Sequence, residues 1–445
     1  MRNCPTIITC APASGHGKTT ITAAIARYHK NQGKVVRVFK VGPDYIDPTI
    51  LSRASGHPVY QLDLWMTGEN QCRSLLYEAA ADADLIIIEG VMGLFDGTPS
   101  CADLASKLSI PLVLIIDARA MAQTFGAIVV GLTEFRPSLA FFGVIANNVA
   151  SQHHEQLLTS NLPNNIAYLG SVHKNPKLNF PQRHLGLVEA NDVENIEQHL
   201  DEAAVAISST RLTKLPPTVS LHPPVEQFIP KLLDSVTIGI AKDAAFSFIY
   251  PANIACLQKM GANLKYFSPI NDTQLPEIDA LYLPGGYPEL HMNELQANLT
   301  MTQAIKTHAE SGKTILAECG GMLYLMDSLT DSNNNSANLC GILPGKARMQ
   351  SHLVKLGMQY LDTDTGQLRG HTFHHSALHC RLLPWSYACR QNSSHKGEII
   401  YRKDKVFASY VHWYFSSHPE FVATLFLAIP LTHVENHSNN QLIKH

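Results

Sequence analysis

The chain has 445 residues, with 34 basic and 37 acidic side chains, a formal net charge of -3, 45% apolar residues and 16% charged ones. At roughly 150 residues per domain this length predicts two large or three ordinary folding units, and the near-neutral charge argues against a generally cationic nucleic-acid binder and against a disordered chain. The longest apolar stretches, such as Leu85–Ile88 and Ile110–Ile116, fall far short of the roughly 20 residues that cross a bilayer, so no membrane span is expected. No charged leader with a cleavable apolar region is expected ahead of Thr6. The nine cysteines include no C-x-x-C pair, which disfavours a disulfide framework or structural zinc site and suits a reducing cytoplasm.

From the start, short β-branched runs alternate with helix-length segments. Thr6–Cys10 is followed by Lys18–Lys30, then Val35–Lys40, Leu85–Ile88, Leu112–Ile116 with Ala120–Leu132, and Phe141–Ala146. This alternation predicts an α/β fold with a parallel sheet and crossover helices, closing near residue 190. Five prolines in the 15 positions from Pro216 to Pro230 cannot sustain an interior helix or central strand. The expected division is therefore a phosphate-loop domain over 1–200, a proline-rich linker over 201–234, a second α/β domain over 235–432 and a polar tail over 433–445. Strands of the second domain are expected at Val236–Ala241, Ala280–Leu283 and Thr314–Ala317, with a solvated loop at Asp331–Asn338.

Ala11-Pro12-Ala13-Ser14-Gly15-His16-Gly17-Lys18-Thr19-Thr20 lies between the first strand and the first helix. A loop in this position exposes backbone N–H groups to a polyphosphate, with the helix N-terminus adding partial positive charge. Gly15 and Gly17 permit close approach, Lys18 reaches the β and γ phosphates, and Thr19 offers a hydroxyl to Mg²⁺; Ser14 and Thr20 complete the ATP-binding loop. Pro12 stands where the first glycine of G-x-x-x-x-G-K-T is usual. Ala13 occupies the place of the second lysine found in dimeric relatives that pair two nucleotide sites, which disfavours a partitioning switch and leaves homodimerisation open.

Downstream, Lys40-Val41-Gly42-Pro43-Asp44-Tyr45-Ile46-Asp47 and Glu89-Gly90-Val91-Met92-Gly93-Leu94-Phe95-Asp96 follow predicted strand ends, where doubly wound sheets place their ligands. Four carboxylates and Lys40 on one edge call for a cation between them, and Mg²⁺ suits all-oxygen donors beside phosphates. Thr19, Asp44 and Glu89 are the expected metal-facing residues. Asp beside Gly or Pro also simply shapes turns, and that alternative stands for each aspartate singly. Asn147, after a further strand, offers an amide suited to reading a nucleobase edge.

Ile315-Leu316-Ala317-Glu318-Cys319-Gly320-Gly321 places a cysteine between a strand and a helix, the setting of a nucleophile elbow. Gly320 N–H and Gly286 N–H, the latter from Leu283-Pro284-Gly285-Gly286, are candidate oxyanion donors. A thiolate at a helix N-terminus is expected to have a lowered pKa and to need a histidine partner. His412 ends a predicted strand after Ala408-Ser409-Tyr410-Val411, whereas His418-Pro419-Glu420 spells the H-P-E tripeptide of many glutamine amidotransferases; the rigidity of a strand end favours His412.

These segments together, with Arg183-His184-Leu185-Gly186-Leu187 and Asp243-Ala244-Ala245-Phe246, resemble the cobyrinic acid a,c-diamide synthase family, including its hydrogenobyrinic acid counterparts, over nearly the whole chain. The resemblance implies a synthetase domain similar to dethiobiotin synthetase and a class I glutaminase domain of the type lacking the third triad member. It implies that Cys319 and His412 release ammonia from glutamine, and that Lys18, Thr19, Asp44, Asp47, Glu89 and Asp96 serve ATP, Mg²⁺ and carboxylate activation on a corrinoid. Where that family often reads H-x-H-F, this chain has His412-Trp413-Tyr414-Phe415. Alternatives are a,c-diamidation of another tetrapyrrole, such as nickel-sirohydrochlorin, or a phosphate-loop switch whose glutaminase-like domain senses a ligand.

Overall fold

Runs such as Leu-Ile-Ile-Ile and Leu-Val-Leu-Ile-Ile have no polar face to offer water, so they are stable only as parallel strands covered on both sides by helices. The computed structural model describes residues 1–178, 190, 194–225, 228–393 and 395–427, with the backbone of 182–183 and 186–187. The Arg183–Leu187 motif and the tail from 428 lie outside the residues so described in full. The chain divides into two units, Met1–Glu226 and Gln227–His445.

In the first unit, β1 (Arg2–Cys10), α1 (Lys18–Asn31), β2 (Val36–Val41), α2 (Asp47–Ser55) and β3 (Tyr60–Leu62) are followed by α3 (Glu69–Ala79), β4 (Leu85–Glu89), α4 (Cys101–Leu108) and β5 (Leu112–Asp117). Then come α5 (Thr124–Glu134), β6 (Phe141–Val149), α6 (Gln152–Thr159), β7 (Tyr168–His173), α7 (Ile196–Ala206) and β8 (Thr218–Leu221). The parallel strands lie in the order β3-β2-β4-β1-β5-β6-β7. Register then does the positioning: Thr9 pairs with Glu89, and Glu89 with Lys40, so three polar residues meet at the carboxyl edge of an apolar sheet. Ser100 starts α4 with a capping box to Asp103, which directs the chain back from that edge.

The linker expected to begin at 201 is structured over most of its length. Helix α7 runs across residue 200 and packs on α1, with Leu200, Ala203 and Ile207 in the core beneath α1. Strand β8 pairs antiparallel with the start of β1, Arg2 opposite Leu221 and Pro5 opposite Thr218. The two Pro-Pro pairs bracket this four-residue strand and mark its ends rather than a run of free chain.

In the second unit, β9 (Thr237–Ala241), α8 (Pro251–Lys259), β10 (Asn263–Phe267), β11 (Ala280–Leu283), α9 (Leu299–Glu310), β12 (Thr314–Glu318) and α10 (Gly320–Tyr324) form the α/β half. Antiparallel strands follow: β13 (Lys355–Thr363), β14 (Gly366–His374), β15 (Ser386–Arg390), β16 (Lys396–Lys403) and β17 (Val406–Ser409), then β18 (His412–Trp413) and α11 (Pro419–Leu427). The described sheet order is β10-β9-β11-β12-β17-β16-β15-β13-β14-β18. Its central strand β12 pairs parallel with β17, Glu318 opposite Ser409, and β14 pairs antiparallel with β18, His371 opposite His412. Asp331 closes a tight turn, its carboxylate accepting from the N–H groups of Asn333 and Asn335. Ser336–Asn338 then forms a strand against Met326–Thr330, so the expected loop is the tip of a hairpin.

Ile207 is fully buried. Ile207→Ala is expected to lower the stability of the first unit by about 2–5 kcal/mol, the range for deleting a core side chain, measured by urea denaturation. A change below about 0.5 kcal/mol, usual for a surface position, would contradict the packing of this segment.

Candidate active site

The loop between β1 and α1 turns with Gly15 and Gly17 at φ +84° and +89°, values that suit glycine. A side chain at Gly17 would also collide with Nδ2 of Asn147. That amide is engaged within the protein: Nδ2 donates to the His16 carbonyl at 3.0 Å and Oδ1 accepts from Asn148 N–H. Asn147 therefore braces the phosphate loop and also lines the cavity beside it. Lys18 Nζ donates to the carbonyls of Ala13 (3.0 Å) and Met92 (2.6 Å), and Met92 reaches this position with φ +49°. Burial, then the nearby Lys40, lowers the Lys18 pKa.

The strand-end residues meet as the register requires. Lys40 Nζ lies 2.6 Å from Asp47, 2.9 Å from Glu89 and 3.4 Å from Asp44, and Thr19 Oγ1 donates to Glu89 Oε1 at 2.8 Å. Burial opposes the Lys40 charge, but Asp47, Glu89 and Asp44 outweigh it and hold its pKa well above the usual value. Burial pushes Glu89 up to about 7 against the pull of Lys40. Burial and the adjacent Asp47 raise Asp44 also, while Lys40 outweighs burial at Asp47 and lowers it.

Two carboxylate oxygens of this cluster, Asp47 Oδ1 and Glu89 Oε2, are buried without a hydrogen-bond partner. An unpaired buried oxygen is costly, and with the Thr19 hydroxyl these two make a hard oxygen donor set of the kind Mg²⁺ takes. Asp44 fits less well than expected, because its Oδ1 already accepts from Ile46 and Asp47 N–H at the head of α2. No group of three or more His, Cys, Asp or Glu ligands is present among the described residues; a phosphate-bridging cation needs fewer. The cluster lines a cavity of about 660 Å³ together with Ser14, Gly15, Thr20 and Arg119. Asp96 is not brought there: it is exposed, and its Oδ2 accepts from Gly93 N–H at 3.0 Å, the turn-shaping role.

In the second unit Cys319 sits between β12 and the one-turn helix α10 with φ +44° and ψ -108°, a conformation that non-glycine residues adopt only where the surroundings impose it. Its N–H is tied to Ser409 O at 2.8 Å. A Cβ on Gly320 would lie 2.9 Å from Gly286 N, so the two candidate oxyanion segments abut. His412 is buried, and its ring fills the space left by Gly285, where any side chain would collide with Cε1. Glu318 links the elbow to this histidine segment, accepting from Trp413 N–H at 3.1 Å and from the Tyr282 hydroxyl at 2.9 Å. His418 has another setting, with Nε2 3.0 Å from the hydroxyls of Thr363 and Thr365 and α11 starting at the next residue.

The thiol pKa departs from expectation. Burial pushes Cys319 up, with Glu289 adding to it, and the Gly320 N–H offsets only part. Burial, then His371, holds His412 well below its usual value. The neutral imidazole these shifts favour is the form of histidine able to accept a proton. His371 lies outside the residues singled out from the sequence; the only signal for it there is the density of His371, His374 and His375.

Residues 7–188 match the CobQ/CobB/MinD/ParA nucleotide binding domain, and residues 237–420 match the CobB/CobQ-like glutamine amidotransferase domain. A nucleotide-binding loop and a glutamine amidotransferase elbow on one chain define an amide-forming ligase that uses glutamine. The chain is 52% identical to a hydrogenobyrinate a,c-diamide synthase of Stutzerimonas stutzeri, over 95% of this chain and 99% of that one. It is 49% identical to a protein of the same name from Pseudomonas aeruginosa, covering 95% and 97%, and 45% identical to a cobyrinate a,c-diamide synthase of Herminiimonas arsenicoxydans, covering 93% and 94%. The chain belongs to this family of cobyrinate and hydrogenobyrinate a,c-diamide synthases. No described helix is long and apolar enough to cross a membrane.

Burial raises Glu318 from an ordinary 4.5 to about 8. A raised carboxyl binds its proton more tightly in the folded state, so its stabilising contribution is present below the unfolded value and is lost as pH rises through the folded one. Unfolding free energy is therefore expected to fall between pH 4.5 and 8 more steeply in the wild type than in Glu318→Gln, as read by denaturant titration across that window. Equal slopes would contradict the assignment.

Proposed function

We propose that the chain uses ATP and glutamine to convert the a- and c-acetate carboxylates of hydrogenobyrinic or cobyrinic acid to amides, one per turnover and two per corrin. The substrate class is supported by the names of its relatives. The observation that carries the chemistry is the pairing, on one chain, of the Thr19–Glu89–Lys40–Asp47 cluster beside the phosphate loop with the strained Cys319 elbow. A carboxylate is a poor acyl donor because its leaving group would be oxide, so it must be activated. Ammonia near neutral pH is mostly ammonium, so it must be released where it can act.

At the phosphate loop, Gly15, Gly17 and the α1 N-terminus cradle the phosphates while Lys18, released from the Ala13 and Met92 carbonyls, meets the transferring group. Thr19, Asp47 and Glu89 would hold Mg²⁺, which supplies charge neutralisation as the γ-phosphoryl moves. Lys40 holds Asp47 and Glu89 at a fixed spacing and keeps their mutual repulsion in check. A substrate carboxylate oxygen attacks the γ-phosphorus, ADP leaves, and an acyl phosphate forms; ammonia then attacks the acyl carbon and phosphate departs.

At the elbow, His412 takes the Cys319 proton as the sulfur attacks the glutamine carboxamide. The N–H groups of Gly286 and Gly320 stabilise the oxyanion. His412 returns the proton to the departing nitrogen, giving ammonia and a thioester, and water then releases glutamate. All nine cysteines are free thiols, which supports a reducing, cytoplasmic setting.

Cys319→Ser is expected to lower glutamine-dependent amidation by about 1,000-fold or more, since it removes a covalent nucleophile, with full rescue by added ammonium. Glu89→Gln is expected to abolish both glutamine- and ammonium-dependent synthesis. Mass spectrometry of the corrin product, which gains two amides in the wild type, reads both variants. Undiminished glutamine-driven synthesis by Cys319→Ser would overturn the nucleophile.

A further inference from the structure

The His412 ring is held by other rings. His371, directly opposite it across the β14–β18 pair, stacks on it with centroids 5.0 Å apart and planes 19° from parallel. The Tyr250 hydroxyl shares a hydrogen bond of 3.0 Å with His371 Nδ1, and the Tyr250 ring in turn meets Tyr414 edge-on at 5.7 Å. All four side chains are buried. Tyr414 occupies the second position after His412, in the stretch where the H-x-H-F pattern is broken.

We propose that His371, pinned by Tyr250, is a positioning residue for the glutaminase half-reaction: its ring fixes the plane of His412 as His412 takes the Cys319 proton. The inference rests on the reading of Cys319 and His412 given above. The plane of a buried imidazole is kept by what packs on it, and a near-parallel ring fixed by its own hydrogen bond is such a support, beside Phe248 and the Gly285 backbone. His371 is suited to this because burial lowers its own pKa to about 3, so it stays neutral and does not compete for the proton.

The test uses the full-length enzyme with ATP, Mg²⁺, glutamine and corrin acceptor, and compares His371→Ala, His371→Phe, Tyr250→Phe, Cys319→Ser and His412→Asn. Since an orientation error of about 1 Å at a reacting group costs on the order of 100-fold, His371→Ala is expected to lower kcat for glutamine hydrolysis by about 10- to 100-fold. KM for glutamine should stay within about twofold, the pattern of an interaction made in the transition state alone. His371→Phe, which restores a stacking ring, is expected to recover most of that loss, and Tyr250→Phe to lower kcat by about threefold, the scale of one modest hydrogen bond. Alkylation of Cys319 by iodoacetamide, followed on its own peptide, should slow in His371→Ala and recover in His371→Phe. Ammonium-dependent synthesis should match wild type throughout. Wild-type kcat in His371→Ala, or a His371→Phe as impaired as His371→Ala, overturns the positioning role. If both His371 variants are as inactive as Cys319→Ser while His412→Asn still hydrolyses glutamine, the underlying assignment of His412 fails instead.

Discussion

When a parallel strand runs directly into a helix, the last strand residue and the first helical N–H groups share one edge of the sheet, and nothing in the backbone satisfies them. Both chemistries of this chain depend on that constraint. At the end of β1 the head of α1 is the kind of N–H edge that takes phosphate, and at the end of β12 the head of α10 follows Cys319 directly. The neighbouring strands then decide what else arrives. β2 and β4 bring Lys40 and Glu89 in register with Thr9, and β17 runs parallel to β12 so that the segment leading to His412 leaves beside Cys319.

The same geometry explains why each site is electrostatically unsettled at rest. Asp44, Asp47 and Glu89 crowd one lysine in a dry edge, with two of their oxygens unpaired, and this is stable only because protons and Lys40 neutralise part of the charge. At the elbow, burial holds the Cys319 pKa up and the His412 pKa down. The raised thiol pKa disfavours a free thiolate at rest. An ordinary reactive thiolate would be open to adventitious oxidation.

Much of this was legible in the residues. The phosphate loop and elbow could be read because glycine, lysine and threonine are demanded by the backbone paths themselves, and because parallel strands carry long apolar runs. The antiparallel strands from Lys355 to Lys403 were not, since strands with one partly exposed face, such as Lys355–Thr363, read as mixed polar sequence. The proline-rich stretch misled for a local reason: proline excludes a central strand but is compatible with the ends of a short one, and β8 is that case. Asp96 lies in the loop after β4 and Asn147 near the end of β6, yet one closes a turn and the other braces a loop. Strand-end position alone does not say which way a side chain is used. The thiol pKa was misjudged because helix position is visible in sequence and burial is not. His371 escaped notice because only cross-strand register, 41 positions away in the chain, places it on His412.

The central claim is that the nucleotide is spent on making an acyl phosphate from the corrin carboxylate, to be taken by nitrogen from glutamine. Corrin acid labelled with heavy oxygen in its acetate carboxylates tests it most directly, with the phosphate product analysed by mass spectrometry. The account predicts one labelled oxygen in the released phosphate for every amide formed. Unlabelled phosphate accompanying labelled amide would mean that water takes the γ-phosphoryl group, and would contradict it.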